Sequence, residues 1–146
     1  MHYDRGRTLQ LLHRVVLPLD RALQTADRAT GCSAAQLSAL GLLIYTSVST
    51  LSGLAARERI SVPTASRIIE TLVRSGLVER EVYAADRRTV HLRATERGRR
   101  AVEIACRARE AALAEVLVDF SEAEWDVLGG AARGLARVFA YDRGEV

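Results

Sequence analysis

Ser61-Val62-Pro63-Thr64-Ala65-Ser66-Arg67-Ile68-Ile69-Glu70-Thr71-Leu72-Val73-Arg74-Ser75-Gly76 is the stretch on which the fold turns. Ser61 can cap a helix with its hydroxyl, and Pro63 falls in a first turn, where a missing N–H does no harm. Gly76 suits the left-handed residue that ends such a helix, so the spacing predicts a helix running to about Ser75. On a wheel of roughly 100° per residue with Thr64 at zero, Ile68, Leu72, Ala65, Ile69 and Val73 fall near 40°, 80°, 100°, 140° and 180°. Ser66, Glu70, Arg74, Arg67, Thr71 and Thr64 fill the remaining arc, from roughly 200° to 360°. The apolar and polar halves separate completely. Hydroxyls and guanidinium groups on one face suit a major groove, where they read base edges and phosphates. The wheel taken alone also describes an ordinary amphipathic surface helix.

Immediately upstream, Ser52 can cap a short helix, Gly53 to about Glu58, that buries Leu54. Ser33 with Gln36 has capping-box spacing and opens a helix through Leu37, Leu40, Leu43 and Ile44. Farther back, Leu9, Leu12, Val16, Leu19, Leu23 and Ala26 recur at steps of three and four, the pattern of a helix packed along a seam. Pro18 interrupts that pattern and predicts a kink or break near Val15–Leu17, and Gly31 closes the segment. Downstream of Gly76 the period shortens to two. Val78–Val82 alternates, Ala84–Arg88 reads as a polar tip, and Thr89–Ala94 alternates again, which predicts a two-stranded hairpin with a basic tip.

Thr95 can cap the next helix, with Gly98 weakening its first turns. Val102, Cys106, Arg109, Leu113, Val116 and Phe120 form its stripe, which places Cys106 in the core. The lone arginine there implies a wet seam or a local pattern. Ser121 and Glu124 make another capping box, ahead of Trp125, Leu128, Ala132, Leu135 and Val138. The fold class is therefore mainly α with a small β-hairpin wing: a winged helix-turn-helix at about 33–98, flanked by helices at about 5–30 and 99–141.

Charge follows the same division. All 21 basic residues are arginine. Residues 57–100 hold eleven arginines against six acids, whereas residues 101–146 hold five against nine. A basic middle is expected of a segment that faces nucleic acid. Arg87 and Arg88 would project from the hairpin tip, and a guanidinium fits a narrow, electronegative minor groove. Asp86 could hold Arg88 in one rotamer by a charge-assisted bond; a solvated turn would have the same composition.

At this point the residues resemble a family. Leu51-Ser52-Gly53-Leu54-Ala55, Ile60 to Ile69 and Leu72 to Arg80 look like the helix-turn-helix of the MarR transcriptional regulators, and Asp86 to Gly98 resembles their wing signature. The resemblance implies a homodimer whose first and last helices interlock. It implies one recognition helix and one wing per half-site of a pseudo-palindromic double-stranded DNA operator, and repression relieved by a small-molecule effector. It puts Ser61, Pro63, Thr64, Ser66 and Arg67 at the groove, Arg74 near phosphate, Arg87 and Arg88 in the wing, and Asp86 as the brace. Glu58 and Arg59 stand where the family usually has an apolar residue and a glycine, so a turn of different shape is expected.

Other functions find less support. Cys32 lies just before a helix start, so a cysteine-based redox sensor is one alternative. A winged-helix module that binds a protein partner is another, although it would expose apolar groups where this chain has arginines. His2, His13 and His91 lack metal-ligand spacing, and no phosphate-cradling glycine loop or nucleophile elbow is present, so neither metal, cofactor nor enzymatic activity is expected. The 28 residues between Arg28 and Arg57 carry no charge but include many serines, which reads as a buried helix and a connection rather than a membrane span. Two cysteines are too few for a disulfide scaffold, and the first residues lack the apolar run of a signal peptide, so a cytoplasmic protein is expected.

Overall fold

A computed structural model describes residues 4–83 and 86–139, with the side chains of 83–88 and 139 outside the description. The chain forms six helices and one hairpin among these residues: α1 (Arg5–Asp27), α2 (Ala34–Tyr45), α3 (Leu51–Glu58), α4 (Val62–Arg74), β1 (Val78–Tyr83), β2 (Asp86–Ala94), α5 (Glu96–Val116) and α6 (Glu122–Phe139), with a 3-10 turn at Arg28–Thr30. The winged helix-turn-helix is thus present, with long helices on either side.

Local chemistry sets most of the boundaries. The Ser33 hydroxyl accepts from the Gln36 amide while the Gln36 side chain accepts from the Ser33 amide, completing the expected capping box. Gly31 and Gly76 both have φ of +70°, the left-handed conformation that ends the turns before them. Ser52 does not cap α3. Thr50 does, accepting from the Gly53 amide at 3.2 Å, so the helix begins at Leu51 and Ser52 lies within its first turn. Pro18 does not break α1 either, which runs without interruption from Arg5 to Asp27. Val15, Val16 and Leu17 are 53%, 50% and 60% exposed, so the Arg14 carbonyl that loses its partner lies on a stretch open to water.

The core lies where α2, α3, α4, the hairpin and the start of α5 meet. Leu40, Leu54, Ile69 and Leu72 are the largest fully sequestered side chains, joined by Ala65, Val78, Leu92 and Val102. Burying each of the large aliphatics contributes about 1.5–3 kcal/mol. Gly98 sits inside this packing. A Cβ there would stand 2.2 Å from the Leu77 carbonyl oxygen and 3.1 Å from Leu40 Cδ2, so the glycine expected to weaken α5 is what lets that helix approach the hairpin.

Outside the core, α1 packs against α5. Asp27 is 3% exposed, and its carboxylate accepts two hydrogen bonds from Arg109, at 2.6 Å from Nε and 2.7 Å from Nη2. The arginine read as a wet point in the seam is therefore half of a bidentate ion pair. Cys106 departs from expectation too. It is exposed, because α5 turns Gly98, Val102 and Ala105 inward instead. None of the described side chains of α6 is buried.

Candidate nucleic-acid interface

α4 stands on the body of the domain as its sequence pattern requires. Ala65, Ile69 and Leu72 are at most 1% exposed, Ile68 and Val73 are half-buried against the same core, and Thr64, Arg67, Glu70, Thr71 and Arg74 face solvent. Ser66 is half-buried at the edge of that face and donates to Glu70 Oε1 at 3.1 Å. At the N-terminus Ser61 accepts from the Thr64 amide at 3.3 Å, and its hydroxyl lies 2.8 Å from the Thr64 hydroxyl. Pro63 is exposed in the first turn. Of the residues expected at a groove, Ser61, Pro63, Thr64, Ser66, Arg67 and Arg74 thus share one helix and its cap.

The turn into α4 absorbs its unusual residues in place. Arg59 has φ 55° and ψ 41°, the left-handed conformation that glycine adopts most readily, and Ile60 N donates to the Ala55 carbonyl at 3.0 Å. Glu58 Oε1 accepts from the Ser38 hydroxyl at 2.6 Å, which ties this end of α3 back to α2.

The wing differs from expectation at its far end. β1 and β2 pair antiparallel from Val78↔Ala94 to Val82↔Val90, then jump to Tyr83↔Asp86. Residues 87–89 therefore form a bulge in β2, and Asp86 to Arg88 belong to a strand rather than to the tip. The Asp86 brace and the reach of Arg87 and Arg88 depend on side chains outside the described residues. Nearer the base, Arg93 bridges Glu79 at 2.6 Å and Glu81 at 2.8 Å. The charge of Glu79, then that of Glu81, raises the pKa of its guanidinium. This arginine of the basic segment is thus held by the sheet itself.

Two anchors went unseen in the sequence. Leu92 N donates to the Ser49 carbonyl at 2.7 Å, and the Ser49 hydroxyl lies 3.1 Å from His91 Nδ1, so the connection before α3 lies along β2. Thr95 caps α5 by accepting from the Gly98 amide, as expected, and also donates to the Gly76 carbonyl at 2.7 Å. One hydroxyl thereby fastens the end of α4 to the start of α5. The only sequence signal for this second role was the closeness of Thr95 to the hairpin end.

The second helix of this helix-turn-helix thus bares hydroxyl and guanidinium groups beside a paired hairpin. The MarR family model matches residues 32–90. HTH-type transcriptional regulators of Mycobacterium bovis and Mycobacterium tuberculosis are each 36% identical over 121 residues, covering 83% of this chain and 85% of theirs. The chain belongs to the MarR family. Among solved structures, RV1404 from Mycobacterium tuberculosis superposes with a TM-score of 0.80 at 19% identity, over 94% of this chain and 95% of that one. A MarR family protein from Bacillus stearothermophilus gives 0.75 at 24% identity, over 94% and 99%. A MepR variant from S. aureus, solved bound to an oligodeoxyribonucleotide, gives 0.67 at 17% identity, over 95% and 100%. These likenesses establish the MarR fold for the whole described chain.

Proposed function

We propose that this MarR-family protein is a sequence-specific regulator that binds double-stranded DNA as a homodimer. On this reading it acts in the cytoplasm as a repressor that a small-molecule effector releases. The observation that carries the DNA-binding part is the face of α4. Its apolar half is spent in the core, and Thr64, Arg67, Thr71 and Arg74 are left to solvent beside the hairpin. The MepR variant solved with an oligodeoxyribonucleotide has the same fold, which supports the reading. No helix of the described residues is long and apolar enough to cross a membrane.

Support for the dimer comes from the outer helices. Leu9, Leu12 and Val16 on α1, and Trp125, Val127, Leu135 and Val138 on α6, are all at least 42% exposed. Most helical stability in proteins comes from tertiary packing of an amphipathic face, and none of the described α6 side chains is buried. A second copy, covering α6 and the outer half of α1, would supply that packing and set two copies of α4 on one side for a two-fold site. Release by an effector rests on family membership alone.

The test is a fluorescence-anisotropy titration against the DNA upstream of the protein's own gene, at several salt concentrations, beside a scrambled duplex. A dimer touching about eight phosphates gives a log–log salt slope near −7, and binding of its own site about a thousandfold tighter than scrambled DNA. Arg74→Ala should lower affinity uniformly across sequences, whereas Arg88→Ala should weaken dependence on A/T-rich flanks. Absence of both the slope and the preference would overturn the reading in favour of a protein-binding module.

A further inference from the structure

Glu70 is the one acid within α4, and it lies on the face that the proposed function turns toward DNA. On the helical wheel it stands within roughly 50° of the middle of the outward arc. Arg67 and Arg74 are its neighbours three back and four on, well placed to neutralise it. Among the described residues neither forms an ion pair with it. The carboxylate is held by Ser66 instead, whose hydroxyl donates to Oε1 at 3.1 Å. Ser66 is half-buried at the edge of the face, so this bond fixes the carboxylate against the helix while leaving Oε2 for another donor.

A carboxylate turned toward phosphates is repelled unless it meets a donor. The major groove offers two kinds, the N4 amino group of cytosine and the N6 amino group of adenine. Beside the adenine amino group lies the N7 acceptor, which repels an ionised carboxylate, whereas guanine presents only acceptors there and thymine an acceptor and a methyl group. We propose that Glu70, positioned by Ser66, is a specificity determinant that selects cytosine at one position under each α4. Such a residue costs affinity for DNA in general and returns it only at the right base, which is how an acid sharpens discrimination.

This inference rests on the reading of α4 as the groove-entering helix, and the experiment separates the two. The intact protein and its E70Q and E70A variants are each put through selection from a randomised duplex pool, with sequencing of the bound fraction. Gln keeps the volume and a side-chain oxygen for Ser66 but pairs with adenine. Wild type is expected to enrich cytosine at one position per α4, with about a tenfold penalty for other bases. E70Q should exchange that cytosine for adenine, and E70A should become indifferent there while keeping the rest of the site. Both variants will bind random DNA more tightly, as loss of any nearby acid would allow, so base preference is the deciding readout. A specific site selected identically by all three proteins overturns the role of Glu70 and leaves the DNA-binding reading standing. A wild-type protein that enriches no sequence overturns both.

Discussion

Replacing Arg109 with methionine would keep most of the side chain's apolar stem and strand the Asp27 carboxylate without its counter-charge. The two partners are not equivalent. The Asp27 side chain is 5% exposed and the Arg109 side chain 38%, so the cation can turn to water and the anion cannot. Removing one partner of a fully buried pair costs about 3–5 kcal/mol, and the partial exposure of this one brings the expectation for Arg109→Met to about 2–4 kcal/mol. Asp27→Asn leaves the guanidinium an amide oxygen and a route to solvent, which lowers its cost to about 1–2 kcal/mol. The double variant Asp27→Leu with Arg109→Met buries no charge and should lose less than Arg109→Met alone. Urea unfolding followed by circular dichroism gives all three values, run at several protein concentrations because association shifts apparent stability. Equal costs for Asp27→Asn and Arg109→Met would mean that the two partners are equivalent after all. Costs below about 0.5 kcal/mol for both would make this an ordinary surface pair.

Three further outcomes can be measured alongside. Gly98→Ala forces its Cβ against the Leu77 carbonyl and should cost about 3 kcal/mol, the upper end for overpacking; a change under 1 kcal/mol in urea would mean that α5 shifts freely. Arg59→Gly relieves a left-handed residue at some entropic cost and should stabilise by about 0.5 kcal/mol, whereas Arg59→Val, which fits that region poorly, should destabilise by about 1 kcal/mol; thermal melts that order the two the other way would contradict this. The Ser121 hydroxyl and amide bonds hold the Glu124 carboxyl below its ordinary pKa. That contribution is present above the ordinary carboxylate range and is lost as pH falls through the lowered value. Ser121→Ala should therefore raise the Glu124 pKa in an NMR titration and flatten the acid limb of stability, and an unmoved titration would remove the capping box as the cause.

What could be read from the sequence is what neighbouring residues decide among themselves. The Ser33–Gln36 and Ser121–Glu124 boxes, the Ser61 cap and the two-faced pattern of α4 all involve residues within a few turns of one another, and the structure has them where the spacing put them. Misreadings arose where distance enters. Asp27 and Arg109 lie 82 residues apart, so nothing local announces that the arginine in a seam has a buried carboxylate waiting. Cys106 shares the period of Val102 and Arg109, but a stripe of spacing three and four does not say which side of it meets the body. Thr50 and Ser52 are both competent caps, and the choice depended on how the preceding chain comes off β2. The bulge at 87–89 has no signature in composition, which is why Asp86 to Arg88 read as a tip.

Gly98 also has a genetic consequence. A screen for substitutions that abolish function would return position 98 beside any residues that touch a partner, because every replacement brings a Cβ against the same carbonyl. A map drawn from such a screen alone would mark Gly98 as a contact with whatever the protein recognises. The phenotypes part on temperature and dosage. Loss at Gly98 reflects fewer folded molecules, so cooling or overexpression restores activity, whereas a residue that touches a partner stays defective however much protein is made.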